Sequence, residues 1–177
     1  KANQGDVAKL DAYLQSFEAL DFDTLDRDEQ FAAYANIYNA LTVRHIVGRY
    51  PVKSIRSGYI SGPWKRVKTV VDGEEMSLDH IEHDILRPTF KDPRVHFAVN
   101  CASIGCPDLL PRAYTGASVD EALDAAARAY VNDPRGLEQG FTLVGRGSRE
   151  GHRTVAHAPL PVPEIGRAVQ QECRDRC

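Results

Sequence analysis

The chain has 177 residues, 42% of them hydrophobic and 27% charged, with a formal net charge of -3. That is enough for one domain that buries roughly two-thirds of the surface its unfolded form exposes, and without a basic excess it argues against nucleic-acid binding. No apolar run approaches the roughly 18 residues of a membrane span.

Lys1 follows neither an initiator Met nor a signal-like apolar run, which reads as a mature or excised segment. From Asn3 to Leu25, Val7, Leu10, Leu14 and Phe17 recur at helical spacing, and an amphipathic helix ending near Phe22 is expected. A second helix is expected from Asp28 to Val47. Asp26, Asp28 and Glu29 complement its dipole at the start, and Arg44, His45 and Gly48 stand at its end. Between Phe31 and Val43 it carries no charge, so it should be buried on most sides, yet it holds Asn36, Tyr38 and Asn39. Buried amides need partners: Asn39 either bonds neighbouring backbone or lines a site.

Tyr50-Pro51 should end this helix, because the residue before proline is pushed out of the helical region. Ser54 to Lys65 reads as loop, where Trp64 either walls a cleft or caps the core. Asp72-Gly73 between Val67–Val71 and Ser77 is a strong hairpin signal, so residues 64–77 should form a small hairpin. Ser77 to Arg87 is expected to be a short helix with Ser77 as N-cap and Pro88 just beyond its end. On an α-helical wheel Leu78, Ile81, Ile85 and Leu86 form its apolar stripe, with Glu82 inside it and His83 on its flank. A carboxylate there must be paired, hydrogen-bonded or protonated. Glu82 is therefore either an arginine's partner or a working group.

In Arg94–Val99, Val95, Phe97 and Val99 alternate with Arg94, His96 and Ala98, the period of a half-buried strand. The strand would deliver Cys101 to a turn of small residues, Asn100, Ala102, Ser103 and Gly105, closed by Pro107. A thiol beside several backbone N–H groups suits acyl transfer, with a nucleophile next to an oxyanion site. If the segment is extended, His96 lies roughly 16 Å from Cys101, which favours His83 as the base. Two other readings stay open. Cys101, Cys106, His83 and His96 are all zinc-ligand types, but Cys-x4-Cys is longer than the common two-residue spacing. Cys101 can also be a small buried hydrophobe or pair with Cys106.

Ser118 to Val131 should be an amphipathic helix capped by Ser118, with Val119, Leu123, Ala126, Ala127 and Tyr130 inward. Phe141–Val144 is a possible strand. From Arg146 the chain becomes rich in Gly, Arg and Pro until a possible short helix from Pro163 to Cys173. Cys173 and Cys177 form a second close pair.

The order Ile37-Tyr38-Asn39-Ala40-Leu41, Gly62-Pro63-Trp64, Ser77-Leu78, Ile81-Glu82-His83, Ile85-Leu86-Arg87, His96-Phe97-Ala98, Asn100-Cys101-Ala102-Ser103, Cys106-Pro107 and Ala113-Tyr114 resembles the DUF547 family over about residues 28–133. The resemblance implies a rearranged relative of papain-like and transglutaminase-like cysteine enzymes, with Asn39, Glu82, His83, His96 and Cys101 as the residues carried over. It also implies a periplasmic or extracellular address, as for exported bacterial members.

The expected architecture is a single α+β domain over residues 1–145, its helices packed on a small, mostly antiparallel sheet that includes Arg94–Val99, followed by a tail over 146–177. The expected function is cysteine-dependent acyl transfer or amide hydrolysis on a peptide or small amide. Cys101 is the nucleophile, His83 the base, Glu82 the third catalytic group, and Asn39, His96, Asn100 and Trp64 support the site. No cofactor or metal is expected. The alternative is a non-catalytic module that binds a peptide or thiol ligand.

Overall fold

A single long helix organises the chain. The computed structural model describes residues 3–103 and 105–133, and within them α2, Arg27–Arg49, packs against the N-terminal helix, the helix that follows the hairpin, and the last helix. Its start is fixed by a reciprocal cap: the Asp26 carboxylate accepts from the Asp28 and Glu29 N–H groups, and Glu29 accepts from the Asp26 N–H. Tyr50 ends it with an extended ψ of 135° ahead of Pro51. The uncharged middle is buried on most sides, through Phe31, Ala32, Ala35, Ile37, Tyr38 and Leu41.

The first helix, α1, is shorter than its periodicity suggests. It runs Gln4–Gln15 rather than to Phe22, and a separate 3-10 turn covers Phe22–Thr24. The Phe17 and Glu18 carbonyls accept instead from the N–H groups of Asp72 and Gly73, at 3.0 and 2.9 Å. Backbone drawn onto the hairpin turn cannot continue the helix.

The hairpin is as expected: β1, Lys68–Val71, pairs antiparallel with β2, Glu74–Ser77, in the register Val71 to Glu74. Asp72 and Gly73 both have positive φ, 50° and 73°, as a two-residue turn of the right twist requires. Among the described residues this pair of strands is the whole sheet, and the class is α+β.

The next segment departs from expectation. It is a π-helix, His80–Phe90, with Pro88 inside it rather than beyond its end. Its N-cap is Asp79, whose side chain caps nothing, while Ser77, expected as the cap, accepts from the His80 N–H through Oγ at 3.1 Å. An α-helix would press the proline ring on the carbonyl four residues back. Widening to i→i+5 relieves that contact, and the buried residues Ile81, Leu86 and Phe90 follow the wider period.

Arg94–Val99 is not a strand. Val95–Ala98 forms a short helix, α3, packed on α4, Val119–Asn132. Every residue from Val95 to Val99 is buried, His96 and Ala98 included, so the alternation read from the sequence had no exposed face behind it. A segment enclosed on all sides carries no signal of period. In α4, Val119, Leu123, Ala127 and Tyr130 face inward as expected. Ser118 occupies the N-cap position, but its hydroxyl pairs with that of Thr115 at 2.7 Å and caps nothing.

The strand expected at Phe141–Val144, the helix at Pro163–Cys173, the tail from Arg146 and the pair Cys173/Cys177 lie outside the described residues.

Candidate functional site

Residues 100–107 form a loop pinned at both ends. Asn39, buried on α2, uses its side chain as a piece of backbone: Nδ2 donates to the Ala98 carbonyl at 2.8 Å, and Oδ1 accepts from the Asn100 N–H at 2.9 Å. Asn100 repeats the device. Its Oδ1 accepts from the Ala102 N–H at 2.8 Å, forming a turn that holds Ala102 at φ 59°, and its Nδ2 donates to the Pro107 carbonyl at 2.8 Å. One turn along α2, Asn36 holds Tyr114 in the same way, accepting from its N–H at 2.8 Å and donating to its carbonyl at 2.9 Å. Two asparagines three residues apart thus fix where the segment between α3 and α4 begins and where it returns. The two readings of Asn39, backbone partner or site residue, describe one arrangement.

Inside the loop, the sulfurs of Cys101 and Cys106 lie 2.9 Å apart, beyond the roughly 2.05 Å of a disulfide bond but close enough for oxidation to join them. Both side chains are buried, while Ala102 and Ser103 are exposed. The Cys106 N–H donates to the Ser103 carbonyl, and those of Ser103 and Gly105 take no part in hydrogen bonds among the described residues.

Beneath the loop lie His96, Phe97 and Tyr130. Tyr130 donates its hydroxyl to the Gly105 carbonyl at 2.8 Å, and His96 meets the Tyr130 ring edge-on, with centroids 5.9 Å apart. Because α3 is helical, the 16 Å separation expected between His96 and Cys101 falls with the strand that implied it. A helical 96–98 followed by extended residues gives about 13 Å along the backbone. His83 is exposed on the π-helix and makes no hydrogen bond or ion pair among the described residues.

Glu82 has an arginine. The carboxylate accepts from Arg87 at 2.6 Å, and the two side chains are 14% and 15% exposed. It also borders the buried Tyr38, whose phenol is raised well above its ordinary pKa, first by burial and then by the negative charge of Glu82 and of the Cys101 and Cys106 sulfurs. Tyr38 on α2 thus lies within electrostatic reach of both Glu82 and the two cysteines. Trp64 packs on the main core instead, and its carbonyl accepts from the Asp79 N–H. Gly62, at φ 81°, makes room for it, since a Cβ there would lie 1.9 Å from the indole.

Tyr38, Tyr130, Arg87 and Asn36 were not singled out as site residues from the sequence. For Tyr38 and Asn36 a signal existed: polar groups within an uncharged, buried helix must have something to bind.

The model of one family, described as a protein of unknown function, DUF547, matches residues 22–131. The chain belongs to the DUF547 family. That span runs from Phe22 to Val131 and contains every residue of the candidate site, from Asn36 to Tyr130, while α1 stands outside it. Searches of curated proteins and of solved structures give no match to the chain. Among the described residues no three His, Cys, Asp or Glu side chains cluster as a metal site, and no helix is long and apolar enough to cross a membrane.

Proposed function

We propose that this DUF547 protein is a cysteine-dependent acyl-transfer or amide-hydrolysing enzyme, a rearranged relative of papain-like and transglutaminase-like enzymes, acting on a peptide or small amide outside the cytoplasm. The observation that carries this reading is the cysteine loop: a buried thiol in a loop pinned by Asn39 and Asn100, beside the exposed Ala102 and Ser103, with the Ser103 and Gly105 N–H groups available to an oxyanion. Cys101 Sγ attacks the carbonyl carbon and a tetrahedral oxyanion forms. Its collapse expels the amine, which takes the proton that the base removed from the thiol, and water or a second amine then cleaves the thioester.

Of the two histidines, His96 supports the role of base better than His83. It is buried against Tyr130, which holds the loop through Gly105, whereas His83 faces solvent. In this reading Glu82, already engaged by Arg87, sets the field around Tyr38 and does not orient an imidazole.

A second reading, a non-catalytic module binding a peptide or thiol ligand, is favoured by one observation: the Cys101 sulfur lies 2.9 Å from that of Cys106, and both are buried. Iodoacetamide labelling of the reduced protein near neutral pH separates the two. The enzyme reading expects Cys101 to react faster than Cys106, His96→Asn to slow it while the fold persists, and a panel of electrophilic acyl probes to leave its adduct on Cys101. Slowing by His83→Ala but not by His96→Asn returns the base to His83. An inert Cys101 without adduct, or a Cys101–Cys106 disulfide in every molecule by mass mapping, rules the enzyme out.

A further inference from the structure

From Gln30 to Val71 the chain contains no Asp or Glu, although it has 25 of them elsewhere, and this span carries seven Lys or Arg. Three of those cations are answered from outside the span: Arg44 pairs with Asp11, Lys65 meets Asp79 at 3.8 Å and Lys68 meets Glu75 at 2.6 Å. Arg49, Lys53, Arg56 and Arg66 make no ion pair among the described residues.

Two of these four are gathered on one ring. Arg49 stands over Tyr59 at 4.9 Å and Arg66 at 6.0 Å, and the Arg49 guanidinium also donates to the Ser57 carbonyl at 2.5 Å, tying the loop to the end of α2. Cations stacked on an aromatic face are held in place rather than dispersed in solvent. Next to Tyr59, Ile60 is 98% exposed, and next to Arg49, Tyr50 is 65% exposed. A single exposed aliphatic residue means little. Here it follows directly on the tyrosine that two unpaired arginines stack on, a composition that suits the boundary between anionic headgroups and acyl chains.

We propose that the face formed by Arg49, Tyr50, Arg56, Tyr59, Ile60 and Arg66 docks peripherally on an anionic phospholipid bilayer, with the arginines on lipid phosphates and Ile60 entering the interfacial layer. Charge complementarity selects this partner. The rest of the chain carries all the carboxylates and is net negative, so a negative surface repels it and favours approach by the segment without them. A simple polyanion would satisfy the arginines but offers nothing to Ile60. No helix among the described residues spans a membrane, so the association lies on the surface.

The test is co-sedimentation of the full chain with phosphatidylcholine vesicles, with and without phosphatidylglycerol, at low and high salt. Binding should require phosphatidylglycerol and weaken as salt rises. Arg56→Glu with Arg66→Glu, both exposed positions of this face, should lower the affinity by roughly tenfold or more, and Ile60→Ser should lower it several-fold while circular dichroism stays unchanged. Failure to bind, or equal binding to neutral vesicles, overturns the proposal. So does binding to phosphatidylglycerol vesicles that Ile60→Ser leaves intact and heparin displaces, which would mark a polyanion site instead.

Discussion

Glu82 and Arg87 stand five residues apart and bond at 2.6 Å. On an α-helix residues five apart point in different directions, and it is residues three or four apart that meet. The π-helical turn of His80–Phe90 is what places them together. One departure from regular helix geometry thus explains the accepted proline, the buried spacing Ile81–Leu86–Phe90 and the neutralised carboxylate beside Tyr38.

Glu82→Gln should leave Arg87 half-buried without its counter-charge and lower stability by about 2 kcal/mol. Urea unfolding of Glu82→Gln, Arg87→Met and the double variant forms a cycle, in which the double loss should be smaller than the sum of the singles. Strict additivity would mean that the pair contributes nothing.

Asn39→Ala removes both partners of the Ala98 carbonyl and the Asn100 N–H, and should cost about 2–3 kcal/mol. It should also erode the preference of iodoacetamide for Cys101 over Cys106, because the entry to the loop is no longer pinned. Asn36→Ala loses the equivalent pair of bonds at Tyr114 and should destabilise comparably. Its labelling ratio should stay at the parent value, and a ratio changed equally by both variants would refute a distinct role for Asn39.

Alkaline stability should be limited by buried phenols. Burial pushes Tyr114 up to about 12, and also raises Tyr38 well above its ordinary value. Unfolded tyrosines ionise near 10, so the stability gained by keeping these phenols neutral is complete below that pH and is lost as pH rises towards 12 and beyond. Tyr114→Phe keeps the packing without the titrating group, and its stability should fall less steeply between pH 10 and 12. An alkaline unfolding curve identical to the parent's would exclude Tyr114 as a contributor.

At low pH the relevant link joins Arg94 to α4. Arg94 donates to Asp92, Asp120 and Asp124, each at 2.7 Å at its nearest, and the Asp124 carboxyl is held below its usual range chiefly by the Arg94 hydrogen bond and also by Arg128. A depressed carboxylate stabilises the fold above its unfolded value of about 4, and that contribution disappears as pH falls through the lower folded value. Asp124→Asn and Arg94→Met should therefore flatten the acid limb of a plot of urea midpoint against pH. If both variants keep the parent slope below pH 4, the strap is only an exposed contact.

What the sequence determined by itself was whatever depends on neighbours along the chain. The start and end of α2 follow from the Asp26/Glu29 pair and Tyr50-Pro51, the hairpin from Asp72-Gly73, and the inward face of α4 from its apolar spacing. The family motifs were equally legible, because they are strings of residues. Only the tertiary structure decided the rest. Val95–Val99 alternates like a strand and folds as a helix, because it is walled in on every side and periodicity reports only on segments with one wet face. α1 stops at Gln15 because the hairpin turn, more than fifty residues later, claims the carbonyls that follow. The path from His96 to Cys101 was out of reach for the same reason: its length depends on whether residues 96–98 rise by about 1.5 or about 3.3 Å each, and the packing of α3 against α4 decides that.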